Sequence, residues 1–420
     1  MSTKGALAGA VALAGMVAMA AGCGGTGQHA ALNTPGTTVL TTAAPVPAAT
    51  SSRPTTTPAR PSTTTATRVP GPPSGGPVPA GFDPVSFTAV SNNEFWLLGE
   101  APCSNPVCTS IVRTTDGGAH FVGIPAPTSA LDVGTGTAGG IDTLRFADVL
   151  DGYAYDTNPG GAFWDTHDGG VQWSQPSLMS GRGLLAFGTG AGYAFALVGT
   201  CQNGSCAHVV LERSPVSSDD WTSLDVLVPS GVAQVATMTV HGDDLWFSLT
   251  ASVAQPNQML FVSTNSGTSF TTAKSPCLSG LAGSLQATSA TVVWAACPTG
   301  MMAEALRSTD GGAHWEQLTP GQLENSAFLA PASDTTALLQ PASQGQLLRT
   351  DDGGATWHNV SSPVTNGYWS WIGFTDSTTG AALAVQSSAP ADWPWPKGPG
   401  PEKLWRTTDG GTTWASVSFS

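Results

Sequence analysis

The sequence predicts an all-β fold, a seven-bladed β-propeller preceded by a signal peptide and a disordered linker. Three observations lead to this prediction. One short motif recurs seven times along the chain at a nearly regular spacing. Only 10% of the residues are charged and 51 are glycine, a composition that favours short strands and tight turns over helices. The first 80 residues differ from the rest because they contain no acidic side chain.

The recurring motif is Ser/Thr-x-Asp-x-Gly-x-x-aromatic. Its six complete copies begin at Thr114, Thr166, Ser263, Ser308, Thr350 and Thr407 and carry, at the third position, Asp116, Asp168, Asn265, Asp310, Asp352 and Asp409. A degenerate copy runs from Ser214 to Trp221, with Val216 and Ser218 in place of Asp and Gly. Successive copies lie 52, 48, 49, 45, 42 and 57 residues apart. A four-stranded propeller blade takes about 40–50 residues, so seven copies predict seven blades.

These residue types suit a tight turn, which we expect between strands C and D of each blade. An Asp carboxylate or a Ser/Thr hydroxyl accepts hydrogen bonds from backbone N–H groups that the turn leaves unpaired. The glycine permits a positive φ. The motif resembles the Asp-box (BNR) repeat of sialidases, sortilin-like receptors and photosystem II assembly-factor-like propellers. This resemblance covers about residues 83–420, and it implies a structural role for the six Asp and Asn side chains.

The strands of the first blade can be placed around its motif. We expect strand A at 86–90, strand B at 94–99, strand C at 109–114 and strand D at 120–124. Blade 1 and blade 7 each supply four strands of their own. Closure of the ring by a strand shared between the chain ends is therefore not evident, which leaves packing between these blades as the alternative.

Residues 1–22 are predicted to be a secretion signal. Lys4 precedes an apolar run over residues 6–21, which is too short to span a membrane comfortably. The run leads to Cys23 in a context that resembles the lipobox of an actinobacterial-type lipoprotein, with alanine where leucine is usual. We expect Cys23 to be lipidated and the protein to be anchored on the outer face of the plasma membrane. The alternative is an ordinary signal peptide with an incidental cysteine.

Residues 23–80 are predicted to be a disordered tether rich in Thr, Pro and Ala. They contain too few large apolar side chains to offset the entropy of ordering, and their prolines favour extended conformations. The propeller is then predicted to occupy residues 81–420.

Six cysteines remain after Cys23, an even number that is typical of disulfide bonds in an exported chain. Their spacing predicts three pairs, Cys103 with Cys108, Cys201 with Cys206, and Cys277 with Cys297. All six map to the B–C and D–A loops, at the end of the propeller opposite the motif turns. We therefore expect this end to be the rigid face. We predict no metal site, because the histidines are scattered and no Cys or His cluster has ligand spacing.

Charge and residue usage argue against several functions. The first 80 residues hold four basic side chains, so the remainder carries −18 although the whole chain carries −14. A domain this acidic repels a phosphate backbone, and we expect no nucleic-acid partner. The resemblance to sialidases would imply an arginine triad, but only Arg145 and Arg182 lie outside the repeated position shared by Arg113, Arg213, Arg307, Arg349 and Arg406. We assign no catalytic residue and no cofactor, and retain Asp142, Asp148 and Asp376 as weak carboxylate candidates.

The leading hypothesis is a non-catalytic, monomeric, extracytoplasmic scaffold that presents a propeller face to an envelope protein partner and assists assembly. Trp393 and Trp395 lie on a proline-rich loop and are the candidate binding residues, because rigid aromatic side chains lose little entropy on binding. Their alternative role is to cover a gap between blades 7 and 1. The alternative function is a carbohydrate-binding protein or a sialidase-like glycoside hydrolase.

Overall fold

The computed structural model describes residues 74–419 with several internal gaps. These gaps cover 105–106, 133–137, 159, 203–204, 227–234, 251–258, 278–282, 300–301, 319, 321–322, 325–327, 342–345, 365–366 and 387–401. Cys23, Trp393 and Trp395 therefore lie outside the described residues, as does the predicted tether up to residue 73. In the part of the chain that is described, no helix has the length and apolar character needed to cross a membrane.

The first three sheets follow one another along the chain. Blade 1 contains β1 (Asp83–Ala89), β2 (Phe95–Pro102), β3 (Val107–Thr114) and β4 (Val122–Ile124). Blade 2 contains β5 (Thr143–Phe146), β6 (Gly152–Tyr155) and β7 (Phe163–Thr166), and a bridge between Asp165 and Ser174 marks its outer edge. Blade 3 contains β8 (Gly183–Gly190), β9 (Tyr193–Gln202), β10 (Ser205–Pro215) and β11 (Thr222–Ser223), after a single 3₁₀ turn at Ser177–Met179.

The remaining four sheets repeat the same order. Blade 4 contains β12 (Val235–His241), β13 (Asp244–Thr250), β14 (Met259–Ser263) and β15 (Thr271–Lys274). Blade 5 contains β16 (Ser284–Ala287), β17 (Val293–Pro298), β18 (Met302–Ser308) and β19 (Glu316–Gln317), and β20 (Leu323–Glu324) also pairs with β18. Blade 6 contains β21 (Phe328–Pro331), β22 (Ala337–Gln340), β23 (Leu347–Thr350) and β24 (His358–Val360). Blade 7 contains β25 (Gly367–Phe374), β26 (Gly380–Gln386), β27 (Glu402–Thr407) and β28 (Ala415–Val417).

The predicted seven-bladed propeller is thus confirmed. Each sheet pairs consecutive antiparallel strands, and the described residues contain seven hydrophobic clusters, one between each pair of adjacent blades. Strand β2 shows why the second strands are continuously apolar. Phe95 and Leu97 face blade 7, whereas Trp96 and Leu98 face blade 2, and all four are fully buried. Alternate side chains of a strand point to opposite faces, so a strand packed on both faces needs no polar position.

Packing between blades 1 and 7 closes the ring. Phe95 and Leu97 share a hydrophobic cluster with Leu383 and Leu404 of blade 7, and the described strands include none that pairs with both blades. The four strands of blade 1 overlap the segments that the sequence predicts. An additional segment lies beside β4, because Gly76 and Gly123 exchange two backbone hydrogen bonds of 2.9 Å. The last residues of the predicted tether are therefore part of the propeller.

Three disulfides join the cysteines in the predicted pairs, Cys103–Cys108, Cys201–Cys206 and Cys277–Cys297. The first pair closes the turn between β2 and β3, and the second closes the turn between β9 and β10. The third joins the segment after β15 to strand β17, which links blades 4 and 5. Disulfides form and persist in oxidising compartments, so these three indicate an extracytoplasmic environment.

Candidate functional site

A cavity of about 450 Å³ lies where the first strands of the blades meet at the centre of the ring. Its described lining comes from six of the seven blades: residues 87–91 of blade 1, Arg145 of blade 2, Thr239 of blade 4, residues 286–288 of blade 5, Pro331 of blade 6 and residues 371–375 of blade 7. This volume suits a small molecule or a few side chains of a partner.

Arg145 is the one charged side chain among the described residues of the lining. Its Nε donates a 2.9 Å hydrogen bond to Oγ1 of Thr189 on blade 3. Neither terminal Nη atom donates to a described residue, and no described carboxylate lies within ion-pair distance of the guanidinium. One contact to a described residue thus orients the side chain.

Aromatic and hydroxyl groups make up much of the remaining lining. The ring of Trp371 stacks on that of Phe87, with centroids 5.3 Å apart, across the seam between blades 7 and 1. Oγ1 of Thr88 accepts a 3.0 Å hydrogen bond from the Phe146 amide, and Oγ1 of Thr239 accepts one of 3.2 Å from the Ala287 amide. These bonds tie strand A of one blade to strand A of another, so the wall of the cavity is cross-linked around the ring.

The cavity lies towards the ends of the A strands, where they enter the A–B turns. In an up-and-down blade, the A–B and C–D turns share one end, so the cavity lies towards the face that carries the repeated motifs. The positions of the cysteines in the sequence favour the opposite face as the rigid one. The structure places the disulfides on that opposite face, whereas the described cavity lies nearer the motif face.

The three weak carboxylate candidates do not converge. Oδ1 of Asp148 accepts hydrogen bonds of 2.8 and 2.9 Å from the amides of Leu150 and Asp151, within the A–B turn of blade 2. Asp376 occupies the matching turn of blade 7, and Asp142 precedes β5 at the opposite end of the strand. None of the three belongs to the described lining of the cavity.

Asp142 has a perturbed acidity without a catalytic partner. Burial raises its pKa to about 6, in spite of a hydrogen bond from Thr143, and the nearby carboxylates of Asp156 and Asp132 add to the rise. The pKa of Asp376 shifts in the opposite direction. Hydrogen bonds from Asn92 and from the backbone of its own turn hold its pKa well below the usual range. Opposite shifts at separated positions do not form the acid and base pair that a glycosidase needs.

The repeated motifs form one recurring hydrogen-bonded turn. In blade 6, Oγ1 of the fully buried Thr350 donates to Oδ1 of Asp352 at 2.8 Å and accepts from the Gly354 amide at 2.8 Å. The same Asp352 oxygen accepts from the Thr356 amide at 2.9 Å. The corresponding first and third residues are hydrogen-bonded in the other five complete copies, through Asp116, Asp168, Asn265, Asp310 and Asp409. Each of these carboxylate or amide groups makes its hydrogen bonds within its own turn.

Comparison with known proteins supports the fold of this chain but does not identify its activity. Neither a protein-family model nor a curated protein sequence matches the chain. Among solved structures, a puromycin-hydrolysing peptidase of Mycobacterium tuberculosis aligns with a TM-score of 0.52 and 12% identity, over 82% of this chain and 57% of that one. YCF48 from Cyanidioschyzon merolae aligns with a TM-score of 0.48 and 14% identity, over 74% and 96%. YCF48 bound to D1 peptide aligns with a TM-score of 0.48 and 18% identity, over 74% and 92%.

The lining of the cavity was not found from the sequence, apart from the observation that Arg145 departs from the repeated arginine position. A usable signal was the register of the A strands. Thr88, Thr239 and Thr288 each lie near the end of strand A in their own blade. Thr88 pairs with Trp96 and Thr239 with Trp246, so the strand register places these two hydroxyls at one level of the ring.

Proposed function

We propose that this chain is a non-catalytic binding scaffold of the cell envelope. A lipid on Cys23 would hold it on the outer face of the plasma membrane, and the central cavity would receive an anionic group of a protein partner, such as a side-chain or terminal carboxylate. The observation that carries the proposal is the position of Arg145. Arg145 lines a cavity whose described lining contains no acidic side chain, and neither of its Nη atoms donates to a described residue.

Binding fits the cavity better than catalysis. Most glycoside hydrolases use two carboxylates on either side of the scissile bond, and the described lining offers neither Asp nor Glu. Nucleophilic catalysis requires a nucleophile beside a general base such as His, and the same lining contains no His or Cys. A monomer is sufficient for this role, because the ring is closed by its own blades.

A carbohydrate ligand is the second candidate. The stacked rings of Phe87 and Trp371 offer an apolar face, and hydroxyl groups lie beside them. Sugars are bound in this way, by an aromatic surface together with polar groups of fixed orientation. The guanidinium of Arg145 would then favour an acidic sugar over a neutral one.

A cross-linking experiment on intact cells tests the protein-partner proposal. The full-length chain would be compared with Arg145→Gln, and with Arg182→Gln as the matched control, because Arg182 is paired with Glu212 at 2.8 Å outside the cavity. A double Trp393→Ala/Trp395→Ala variant tests the predicted loop separately. We expect one partner to be captured by the wild type and by Arg182→Gln and lost from Arg145→Gln.

Equal capture by all four forms would contradict the proposal. A glycan array probed with the wild type and with Arg145→Gln addresses the carbohydrate alternative. Binding of acidic glycans that Arg145→Gln abolishes would replace the protein partner with a sugar. Equal melting temperatures for Arg145→Gln and the wild type would show that the loss is not caused by unfolding.

A further inference from the structure

Five blades carry an arginine directly before the first residue of the motif, and this arginine links neighbouring blades. Four of these side chains donate to a backbone carbonyl of the next blade: Arg213 to Ser266 at 2.5 Å, Arg307 to Asp334 at 2.6 Å, Arg349 to Gly410 at 2.7 Å and Arg406 to Asn92 at 3.1 Å. A positive charge therefore reaches from one blade into the turns of the next at four of these positions.

Blade 2 has an acid in this position. Asp165 replaces the arginine and is completely buried. Its Oδ1 accepts a 2.6 Å hydrogen bond from Oγ of Ser174. Its Oδ2 is buried as well, and no described residue donates a hydrogen bond to it. An unpaired buried carboxylate oxygen is destabilising unless a proton or a cation neutralises it.

The facing turn of blade 3 is the degenerate copy of the motif. It has lost the Asp and the Gly that stabilise the other turns, and it places a different acid, Asp219, opposite Asp165. Oδ1 of Asp219 lies 3.9 Å from Nε2 of His167, which belongs to blade 2. One ligand atom from each of Asp165, His167 and Asp219 lies within 4.8 Å of the other two. These two departures from the repeat thus occur at the same blade interface, whereas blade 4, which also lacks the arginine, has Val262 in its place.

The imidazole of His167 is held in the orientation of a metal ligand. Its Nδ1 lies 2.7 Å from Oδ1 of Asp151, a buried carboxylate. Its Nε2 is buried, is directed at the two acids, and has no hydrogen-bond partner among the described residues. A carboxylate that fixes one nitrogen of a histidine while the other faces a cluster of acids is the usual outer-shell arrangement around a protein-bound metal.

We propose, in contrast to the expectation of no metal site from the sequence, that Asp165, His167 and Asp219 bind one Zn²⁺-like divalent cation, which bridges blades 2 and 3 in place of the missing arginine. One imidazole nitrogen and two carboxylate oxygens suit zinc, and imidazole is a poor ligand for calcium. Ligand atoms about 2 Å from one tetrahedral zinc ion lie about 3.3 Å apart. The three atoms, which lie within 4.8 Å of one another, would need to approach by up to about 1.5 Å to close the site.

Protonation of these side chains is the competing explanation for how the cluster is neutralised. Burial, followed by the neighbouring Asp219, raises the pKa of Asp165, and the hydrogen bond to Asp151 raises that of His167. In this alternative, an imidazolium and a proton shared by two carboxyl groups would neutralise the interface. The two explanations make different predictions, because only a metal site binds Zn²⁺ and is stabilised by it.

Calorimetric titration of Zn²⁺ into the untagged, full-length, EDTA-treated chain tests the proposal. We expect saturable binding of one ion per chain and a higher melting temperature with Zn²⁺, with no such effect of Ca²⁺. Asp165→Asn and Asp219→Asn should abolish this binding, and Asp151→Asn should weaken it by about 10–100-fold through the outer shell. Asp220→Asn is the matched control, because Asp220 lies in the same turn but outside the cluster.

Absence of saturable Zn²⁺ binding by the wild type, or equal binding by Asp165→Asn, would overturn the proposal in favour of the protons. Asp219 is partly exposed, with 39% of its side chain accessible, so its substitution does not depend on refilling a buried site. Melting of each variant in EDTA shows whether it folds. A variant supports the site if it has the melting temperature of the wild type in EDTA and if Zn²⁺ does not raise that temperature.

Discussion

The backbone amide of Glu402 donates a 2.6 Å hydrogen bond to Oδ1 of Asp83, although the two residues lie 319 positions apart. Glu402 begins the third strand of blade 7, and Asp83 begins the first strand of blade 1. The contact therefore lies on the seam at which the ring closes. It also brings two acidic side chains close together in a partly buried position, so stability at this seam should depend on pH.

Stability should fall as the pH rises from about 4.5 to about 7. Burial raises the pKa of Glu402 from its ordinary value of 4.5 to about 7, against a hydrogen bond from Ser370 and with the charge of Asp83 adding to the rise. The folded chain then keeps a proton that the unfolded chain loses within this window. Glu402→Gln should reduce this dependence and raise the free energy of unfolding at pH 8 by up to about 3 kcal/mol. Denaturant unfolding at pH 5 and pH 8 measures the free energy of unfolding of both forms.

Glu316→Gln is the control for this experiment, because Glu316 is exposed on the outer strand of blade 5. It should leave the pH dependence as in the wild type. The same slope in Glu402→Gln as in the wild type would show that the seam does not titrate in this range.

Loss of the motif hydroxyl should destabilise a blade. Thr350→Val removes the acceptor of the buried Gly354 amide and keeps the shape of the side chain. An unsatisfied buried N–H costs about 1–3 kcal/mol, so the melting temperature should fall. Thr356→Val is the comparison, because Thr356 is exposed and donates only to Asp352 on the surface. Equal losses in both variants would contradict a specific role for the buried hydroxyl.

The three disulfides should differ in their effect on stability. Cys277 and Cys297 are buried and lie 20 residues apart, whereas Cys103 and Cys108 are exposed and lie 5 apart. Loop-closure entropy assigns about 3 kcal/mol to the longer loop and about 2 kcal/mol to the shorter one. Replacement of both cysteines by alanine should therefore lower the unfolding midpoint more for the Cys277–Cys297 pair. The reverse order would show that strain or residual unfolded structure outweighs the loop length.

Asp376 should act on stability and not on ligand binding. Its carboxylate accepts a 2.6 Å hydrogen bond from Asn92 of blade 1 and two from the amides of Thr378 and Thr379 in its own turn. Asp376→Ala should lower the melting temperature and leave capture of the partner unchanged. Asp148→Ala tests the matching turn of blade 2, which lacks a contact to Asn92. A lost partner with unchanged melting would instead make Asp376 a binding residue.

Much of the fold was predictable because the propeller repeats a local unit. The motif places a Ser or Thr hydroxyl, an Asp carboxylate and a Gly amide within five residues, so its turn is visible in the sequence itself. Thr350, Asp352 and Gly354 interact in this way. The disulfides Cys103–Cys108 and Cys201–Cys206 were predictable for the same reason, since each closes a single hairpin.

The candidate sites were not predictable, because their residues converge through the ring. Asp165 and Asp219 lie on different blades, and only the packing of blade 2 against blade 3 brings them together. The sequence shows that the arginine before Thr166 is missing. It does not show that the other arginines bind the next blade, and this contact is what gives the missing arginine its importance. The role of Arg145 was not predictable for the same reason, because the cavity that it lines is formed by residues from six blades.

The seam between blades 1 and 7 is the last blade interface that can form as the chain is synthesised. Ribosomes release a chain from its N-terminus, so blade 1 emerges first and blade 7 last. The face of blade 1 formed by Phe95 and Leu97 must then stay uncovered until Leu383 and Leu404 have emerged. An apolar sheet face exposed for that long invites association with other chains. The nascent protein is therefore most vulnerable to aggregation just before its final blade arrives, and a chaperone that shields blade 1 would raise the yield of folded protein.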